Sequence, residues 1–411
     1  MYSRNDPFLY FEKDVQSTFG QTRWKMQKVT AYIRNNAILF ISGILAVISC
    51  FIVKPDMEYS GYINFRVLAL LFCLMLIVAA MSRIGTFKLL TNVLLSRVKT
   101  YRGISLLMSL MAFFMSMFLT NDVSLVTLVP FAIMVLKPFG DNRKLMFTLI
   151  IMTVAANLGS MLTPIGNPQN LYLYEHYKIS LGDFFLLMFP YSLFSLLLVV
   201  VMTFILVSGK EKLKDNDRLV IQKLPIVKLV VYIMLFLLNI MTVIGILDYL
   251  ISLVITIVVM AVMDFKAYLK VDYNLLATFI FFFILIGNIG RIDTITGALS
   301  GLVSSWPVPA AILSSQIISN VPAAMLLSAF TDNGKALVIG TNLGGLGTII
   351  ASMASLITYR FHASFAKEQK AGTEKKQGSY LLSFTVINVI MLVILFGLYM
   401  LINWFAGKCN I

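Results

Sequence analysis

The chain is 411 residues long, 59% of them hydrophobic and 13% charged, with a mean hydropathy of +0.87. Soluble domains carry about 25% charged residues, so this chain has too little polar surface to enclose its apolar residues in water, and it reads as a polytopic membrane protein. Its formal net charge of +14 is the Lys and Arg excess of cytoplasmic loops and implies no nucleic-acid partner.

The first 36 residues are polar and aromatic and lack the apolar core of a cleaved signal peptide; they read as a cytoplasmic N-terminal segment, 1–36. Apolar runs then predict spans near 37–53, 65–81, 145–175 (interrupted), 184–207, 229–246, 249–263, 274–290, 336–359 (interrupted) and 380–404. Two further apolar stretches, 104–136 and 307–331, carry polar centres. The charged stretch KEKLKDNDR marks a cytoplasmic connector at 209–228, which divides the chain into a first membrane repeat, 37–208, and a second, 229–411. Cys50, Cys73 and Cys409 form no spaced pattern, so neither a disulfide framework nor a metal site is expected.

Basic residues set the orientation. The connections 1–36, 82–103, 137–144, 209–228, 264–272 and 360–378 hold 27 of the 33 Lys and Arg, which places the N-terminus in the cytoplasm. Both flanks of 104–136 are basic, and its centre, Thr120-Asn121-Asp122, divides it into arms of about sixteen and fourteen residues at 1.5 Å each, shorter than a roughly 30 Å hydrocarbon core. It reads as a hairpin that enters and leaves on the inside; two short spans joined by a polar turn would leave the same charge pattern. The stretch 307–331, centred on Ser319-Asn320 with mixed charges on its flanks, reads as the same object opening outward.

The two stretches align without a gap. TNDVSLVTLVPF (120–131) on SNVPAAMLLSAF (319–330) pairs Asn121 with Asn320, Leu128 with Leu327 and Phe131 with Phe330. Likewise NLGSMLTPI (157–165) on NLGGLGTII (342–350) pairs Asn157 with Asn342, Gly159 with Gly344 and Thr163 with Thr348, and further on Tyr174 with Tyr359. Each half therefore holds a hairpin with Asn at its tip, then a span broken after Asn-Leu-Gly. Breaks at corresponding positions of two oppositely directed halves point to an inverted-repeat secondary transporter. Non-helical backbone is tolerated at membrane depth only where it is buried in protein or lines a watery cavity. Its freed N–H groups suit an anion and its carbonyls a cation.

The segments LTNDVSLVTLVPF, ANLGSMLTPIGNPQNLYLY, SNVPAA and TNLGGLGTIIASMASLI resemble the ion transporter superfamily, with its arsenite permeases, sodium/proton antiporters and citrate or dicarboxylate carriers. The resemblance covers the chain from about residue 60 onward and is closest to small bacterial permeases. It implies two re-entrant hairpins, two broken helices, a substrate site between the tips, an elevator-like movement, a homodimer and residence in a bacterial inner membrane. The dicarboxylate carriers carry Ser-Asn-Thr at both tips; here the tips read Thr120-Asn121-Asp122 and Ser319-Asn320-Val321. The Asn-Asp pair is more like the arsenite permeases.

The expected fold is therefore all-α and polytopic, with about nine crossings. The expected substrate and ion site comprises Thr120, Asn121, Asp122, Asn157, Gly159, Thr163, Gly166, Asn167, Asn170, Ser319, Asn320, Asn342, Gly344, Thr348, Ser352 and Ser355. Asn121 and Asn320 are the expected places for sodium and read as equivalent ligands. Asp122 reads either as a carrier of a proton or cation, since a charge at the bilayer centre costs about 2.5–3.5 kcal/mol on insertion scales, or as a cap on the second hairpin arm. His176 and His362 are expected at opposite membrane edges. No Walker A motif and no HExxH is present, so neither ATP hydrolysis nor zinc-dependent catalysis by this chain is expected. No cofactor is expected beyond a coupling proton or sodium. The function read from the sequence is secondary active transport of a small anion, citrate-like or an oxyanion. Arsenite efflux and sodium/proton exchange are its nearest alternatives, and a channel or a membrane-embedded enzyme stands further off.

Overall fold

Polar residues at the edges of apolar runs start the helices. Side chains of Asn64, Thr100, Asp141, Ser180, Asp248, Asp272 and Asn333 each accept from a backbone N–H in the first turn, satisfying donors that a helix leaves free. The computed structural model describes residues 30–409, apart from 31, 34–35, 96–97, 210–223, 293–296, 298–299, 302 and 369–372. The N-terminal segment and the 209–228 connector thus fall largely outside the described residues.

Among the described residues the chain is helical throughout and has no strand. The helices are α1 (Ala37–Ile52), α2 (Phe65–Arg83), α3 (Thr86–Leu95), α4 (Tyr101–Leu119), α5 (Asn121–Leu136), α6 (Asn142–Gly159), α7 (Pro168–His176) and α8 (Leu181–Leu206). They continue as α9 (Ile226–Val243), α10 (Tyr249–Asp264), α11 (Tyr273–Gly290), α12 (Pro307–Ile318), α13 (Asn320–Leu327), α14 (Gly334–Leu343), α15 (Met353–Glu368) and α16 (Thr373–Cys409). Every expected span has its helix, and both interruptions are real: α6 and α7 are separated by residues 160–167, α14 and α15 by 344–352. Among the described residues nine helices are long and apolar enough to cross a membrane. That set includes both arms of the first hairpin and leaves out α1 and the second broken helix, so it differs from the expected nine crossings.

The first hairpin corrects one expectation. Its leading arm is 19 residues, not sixteen, because Thr100 caps the helix and draws in Tyr101, Arg102 and Gly103; at 1.5 Å per residue it spans about 28 Å. The second hairpin has arms of 12 and 8 residues, about 18 and 12 Å, and neither can cross a bilayer core. At the far end, α16 extends 37 residues back to Thr373, so helix replaces much of the connection expected at 360–378.

Two groups of helices emerge from the packing. In one, α1 lies along α11 and α2 packs on α9 and α10, with a small core of its own around Leu76, Ile77, Tyr232 and Met260. Polar side chains tie it internally: Asn288 donates to Ser49 Oγ at 2.9 Å and Asn239 to Thr256 Oγ1 at 3.0 Å. The other group comprises the hairpins, the broken helices, α8 and α16. In it α4 and α5 pack on α6 while α12 and α13 pack on α14, and the hairpins also cross over: α5 meets α15 and α13 meets α7. Between Leu145 and Gly159 every residue but Phe147 is buried, which puts the first broken helix at the centre. One ion pair among the described residues joins the two groups, Arg66 Nε to Glu175 Oε2 at 2.9 Å.

Candidate functional site

Both hairpins turn on a single residue of unusual backbone. Thr120 has φ 70° and ψ 153°, Ser319 φ 74° and ψ 156°, a region that is essentially reserved for glycine and costs other residues about 1–3 kcal/mol. The matching angles at aligned positions show that the two tips are the same turn. In each case the next residue, Asn121 or Asn320, opens the returning helix. The breaks match as well. Thr163 Oγ1 donates to the carbonyl of Met117, three residues before Thr120; Thr348 Oγ1 donates to the carbonyl of Gln316, three residues before Ser319, at 3.3 Å.

The first tip touches both breaks. Asn121 Nδ2 donates to Asn157 Oδ1 at 2.8 Å and lies 3.4 Å from Ser352 Oγ; Ser352 Oγ donates to the same Asn157 Oδ1 at 3.0 Å. Asn157 Nδ2 donates to the carbonyl of Gly345 at 3.3 Å. The breaks also bond to each other, through Asn342 Nδ2 and Asn170 Oδ1 at 2.6 Å. Within the first break Asn167 Nδ2 donates to Ser160 Oγ at 2.5 Å, and Asn170 Nδ2 to the carbonyls of Ser160 and Thr163.

The second tip is held differently. The backbone N–H of Asn320 donates to the carbonyl of Ala351 at 3.0 Å, and Ser319 Oγ donates to that carbonyl and to Asn320 Oδ1. The Asn320 carboxamide is bonded to no side chain of a break. Partner choice accounts for part of this: the first tip reaches Asn157, while the counterpart of Asn157, Asn342, has turned its amide to Asn170.

Glycines let these pieces close. A Cβ on Gly159 would lie 2.0 Å from the carbonyl oxygen of Phe113, one on Gly166 2.1 Å from that of Ser160, and one on Gly344 2.6 Å from Ser315 Oγ. Asp122 is half-buried in the first turn of α5; its N–H donates to Asn121 Oδ1 at 2.9 Å, and its carboxylate has no ion pair among the described residues. Ser355 is buried beside the second break, and its Oγ has no hydrogen-bond partner among the described residues; the same holds for Oδ1 of Asn167 and of Asn342. Such buried oxygens cost about 1–3 kcal/mol each when left unmet. None of the expected site residues is basic.

Four ends of α5, α7, α13 and α15 are N-terminal and four ends of α4, α6, α12 and α14 are C-terminal, all at the tips and breaks. Partial positive and negative charges of helix ends therefore accompany the neutral amides and hydroxyls, a set able to bind an anion and a cation without a formal countercharge. Among the described residues no cluster of three His, Cys, Asp or Glu is placed to hold a metal. His176 is exposed and stacks on Tyr172, whereas His362 is buried and stacks on Tyr380 with centroids 4.4 Å apart. A cleft of about 580 Å³ lies between the loop 177–183 and Asp332, Asn333, Gly334 and Lys335, and holds none of the tip residues.

Three contributors were missed by the sequence reading: Ser160, Gln316 and the Arg66–Glu175 pair. Gln316 had a signal, being a polar residue in an apolar arm three positions before the Ser-Asn tip.

The comparisons with known proteins agree with this architecture. The sequence profile of the family described as citrate transporter matches residues 24–333. An uncharacterized transporter of Methanocaldococcus jannaschii is 33% identical over 371 residues, 89% of this chain and 97% of its own length. The inner membrane protein YbiR of Escherichia coli is 30% identical over 319 residues, 76% of this chain and 84% of its own. Silicon efflux transporter LSI3 of Oryza sativa is 30% identical over 155 residues, 36% of this chain and 30% of that protein. Nine long apolar helices, two matching hairpin tips and two matching helix breaks meet a family profile that spans most of the chain, and the protein is a membrane transporter belonging to the citrate transporter family.

Proposed function

We propose that the chain is a secondary active transporter of a small anion, citrate-like or an oxyanion, residing in the cell membrane with its N-terminus in the cytoplasm and driven by a proton or sodium gradient. The observation that carries this reading is the Asn121–Asn157–Ser352 triangle, where one hairpin tip and both helix breaks meet in a buried, polar and uncharged setting. Helix N-termini and amide donors at this point would hold an anion, the unpartnered oxygens of Asn167, Asn342 and Ser355 would face a cation, and Asp122 beside them would carry the coupling proton. The substrate and ion ligands are then the sixteen residues of the tips and breaks, with Asn121, Asn157 and Ser352 at their centre.

A second reading, proton-coupled efflux of a weak oxyacid such as arsenite, is favoured by one feature. No basic side chain stands in the site, so a multiply charged citrate would depend on amides and helix ends alone. The Asn-Asp tip and the similarity to a silicon efflux transporter support the same reading.

Counterflow in proteoliposomes separates the two. Vesicles loaded in turn with citrate, succinate, arsenite and silicic acid are tested for uptake of the same labelled solute. Exchange of the carboxylates supports the first reading and exchange of the oxyacids the second; exchange of none of them contradicts both.

A further inference from the structure

In each helix break one carboxamide bridges two carbonyls of the loop. In the first, Nδ2 of Asn170 donates to the carbonyls of Ser160 and Thr163, both at 3.2 Å. In the second, Nε2 of Gln316 donates to the carbonyls of Gly344 and Leu346, both at 2.9 Å, and its Oε1 accepts from the Thr348 N–H at 2.8 Å. Loop 344–348 wraps onto this amide: Gly347 has φ +106°, and a Cβ there would lie 2.3 Å from Gln316 Oε1.

The two amides come from different elements. Asn170 belongs to the second half of its own broken helix, Gln316 to the leading arm of the neighbouring hairpin. The internal alignment shows an exchange of duties. The counterpart of Gln316 is Met117, which offers only its backbone carbonyl, to Thr163. The counterpart of Asn170 is Ser355, a shorter side chain whose buried Oγ has no hydrogen-bond partner among the described residues. Buried backbone groups outside a helix need partners, and in each repeat a different side chain bridges two of the carbonyls freed at the break. As a result a carboxamide fastens the second break to its hairpin, while the first break is closed by its own Asn170 and reaches its hairpin through the Thr163 hydroxyl.

We propose that Gln316 is a positioning residue of the transport site. It performs in the second repeat the task of Asn170 in the first, holding the carbonyls of Gly344 and Leu346 and the amide of Thr348 in the shape they present between the hairpin tips. The proposal rests on the reading of the breaks as the transport site.

The test uses the full chain, with hydrogen exchange followed by mass spectrometry in detergent and counterflow of citrate and of arsenite in proteoliposomes. Gln316→Met gives the second repeat the residue of the first, and adding Ser355→Asn gives it the clasp of the first as well. In Gln316→Met, amides of 344–348 should exchange at least tenfold faster while those of 159–166 keep their rates. The half-saturation concentration for the exchanged solute should rise at least fivefold, with a smaller change in maximal rate. Ser355→Asn in that background should restore the slow amide exchange of 344–348. If Gln316→Met alone gives no folded protein, the double variant decides, since it folds only where Asn at position 355 takes over. Unchanged exchange at 344–348, or no rescue by Ser355→Asn, overturns the clasp. Faster exchange with wild-type half-saturation overturns the positioning role and removes the second break from the transport site.

Discussion

Asn121 Nδ2 donates to Asn157 Oδ1 at 2.8 Å, so a hairpin tip is bonded to the break of a helix 36 residues further along the chain. The bond is buried, and Asn157 Oδ1 also accepts from Ser352 of the other repeat. Three elements therefore depend on one oxygen and one amide. Asn121→Ala should abolish transport and lower stability by about 1–3 kcal/mol, the cost of leaving a buried partner partly unmet. Asn320→Ala should cost less stability, because the bond of that tip to Ala351 runs through its backbone. Thermal unfolding in detergent, read beside counterflow, checks both; an equal loss of stability in the two variants would return the tips to equivalence.

Asp122 stands next to this triangle without a cationic partner among the described residues. Asp122→Asn keeps its size and most of its capping ability but cannot exchange a proton. The variant should retain counterflow and lose accumulation driven by a pH gradient. Undiminished pH-driven accumulation would leave this aspartate as a helix cap only.

Thr120 carries its strain at the tip, where glycine would carry none. Thr120→Gly should therefore be more stable than Thr120→Ala by about 1 kcal/mol or more, since alanine keeps the Cβ that the conformation disfavours. Unfolding midpoints of the two variants measure this. A lower midpoint for the glycine variant would mean that the turn takes another shape in the membrane.

Much of this arrangement was legible in the sequence, for identifiable reasons. Gly and Asn in an apolar run reported both breaks, with Pro added in the first, and the gap-free pairing of Asn121 with Asn320 and of Thr163 with Thr348 reported a shared geometry that φ and ψ at Thr120 and Ser319 repeat. Partner choice was not legible. Whether an asparagine amide turns to the tip, as at Asn157, or to the other break, as at Asn342, is decided by side chains distant in sequence. The role of Gln316 lay hidden because its equivalent is a methionine, and sequence pairing draws attention to identities rather than to exchanged duties. The length of α4 was misjudged because a polar cap at Thr100 extends a helix past its apolar core.

Opposed hairpins make a topological prediction. In a background lacking Cys50, Cys73 and Cys409, Lys99→Cys and Lys137→Cys should both react with an impermeant thiol reagent from the cytoplasmic face. Ser305→Cys and Asp332→Cys should both react from outside. The basic flanks of the first hairpin and the short arms of the second give this pattern. Labelling of positions 99 and 137 from opposite sides would replace the first hairpin by an odd number of crossings.

The most direct measurement is uphill flux. Purified protein is reconstituted into tight vesicles, a proton or sodium gradient is imposed, and the concentration inside of the solute found by counterflow is followed against an equal outside concentration. The account predicts accumulation above equilibrium that collapses with an ionophore and is missing in Asn121→Ala. Equilibration without accumulation under either gradient, at the same rate as without one, would contradict it and describe a passive pore instead.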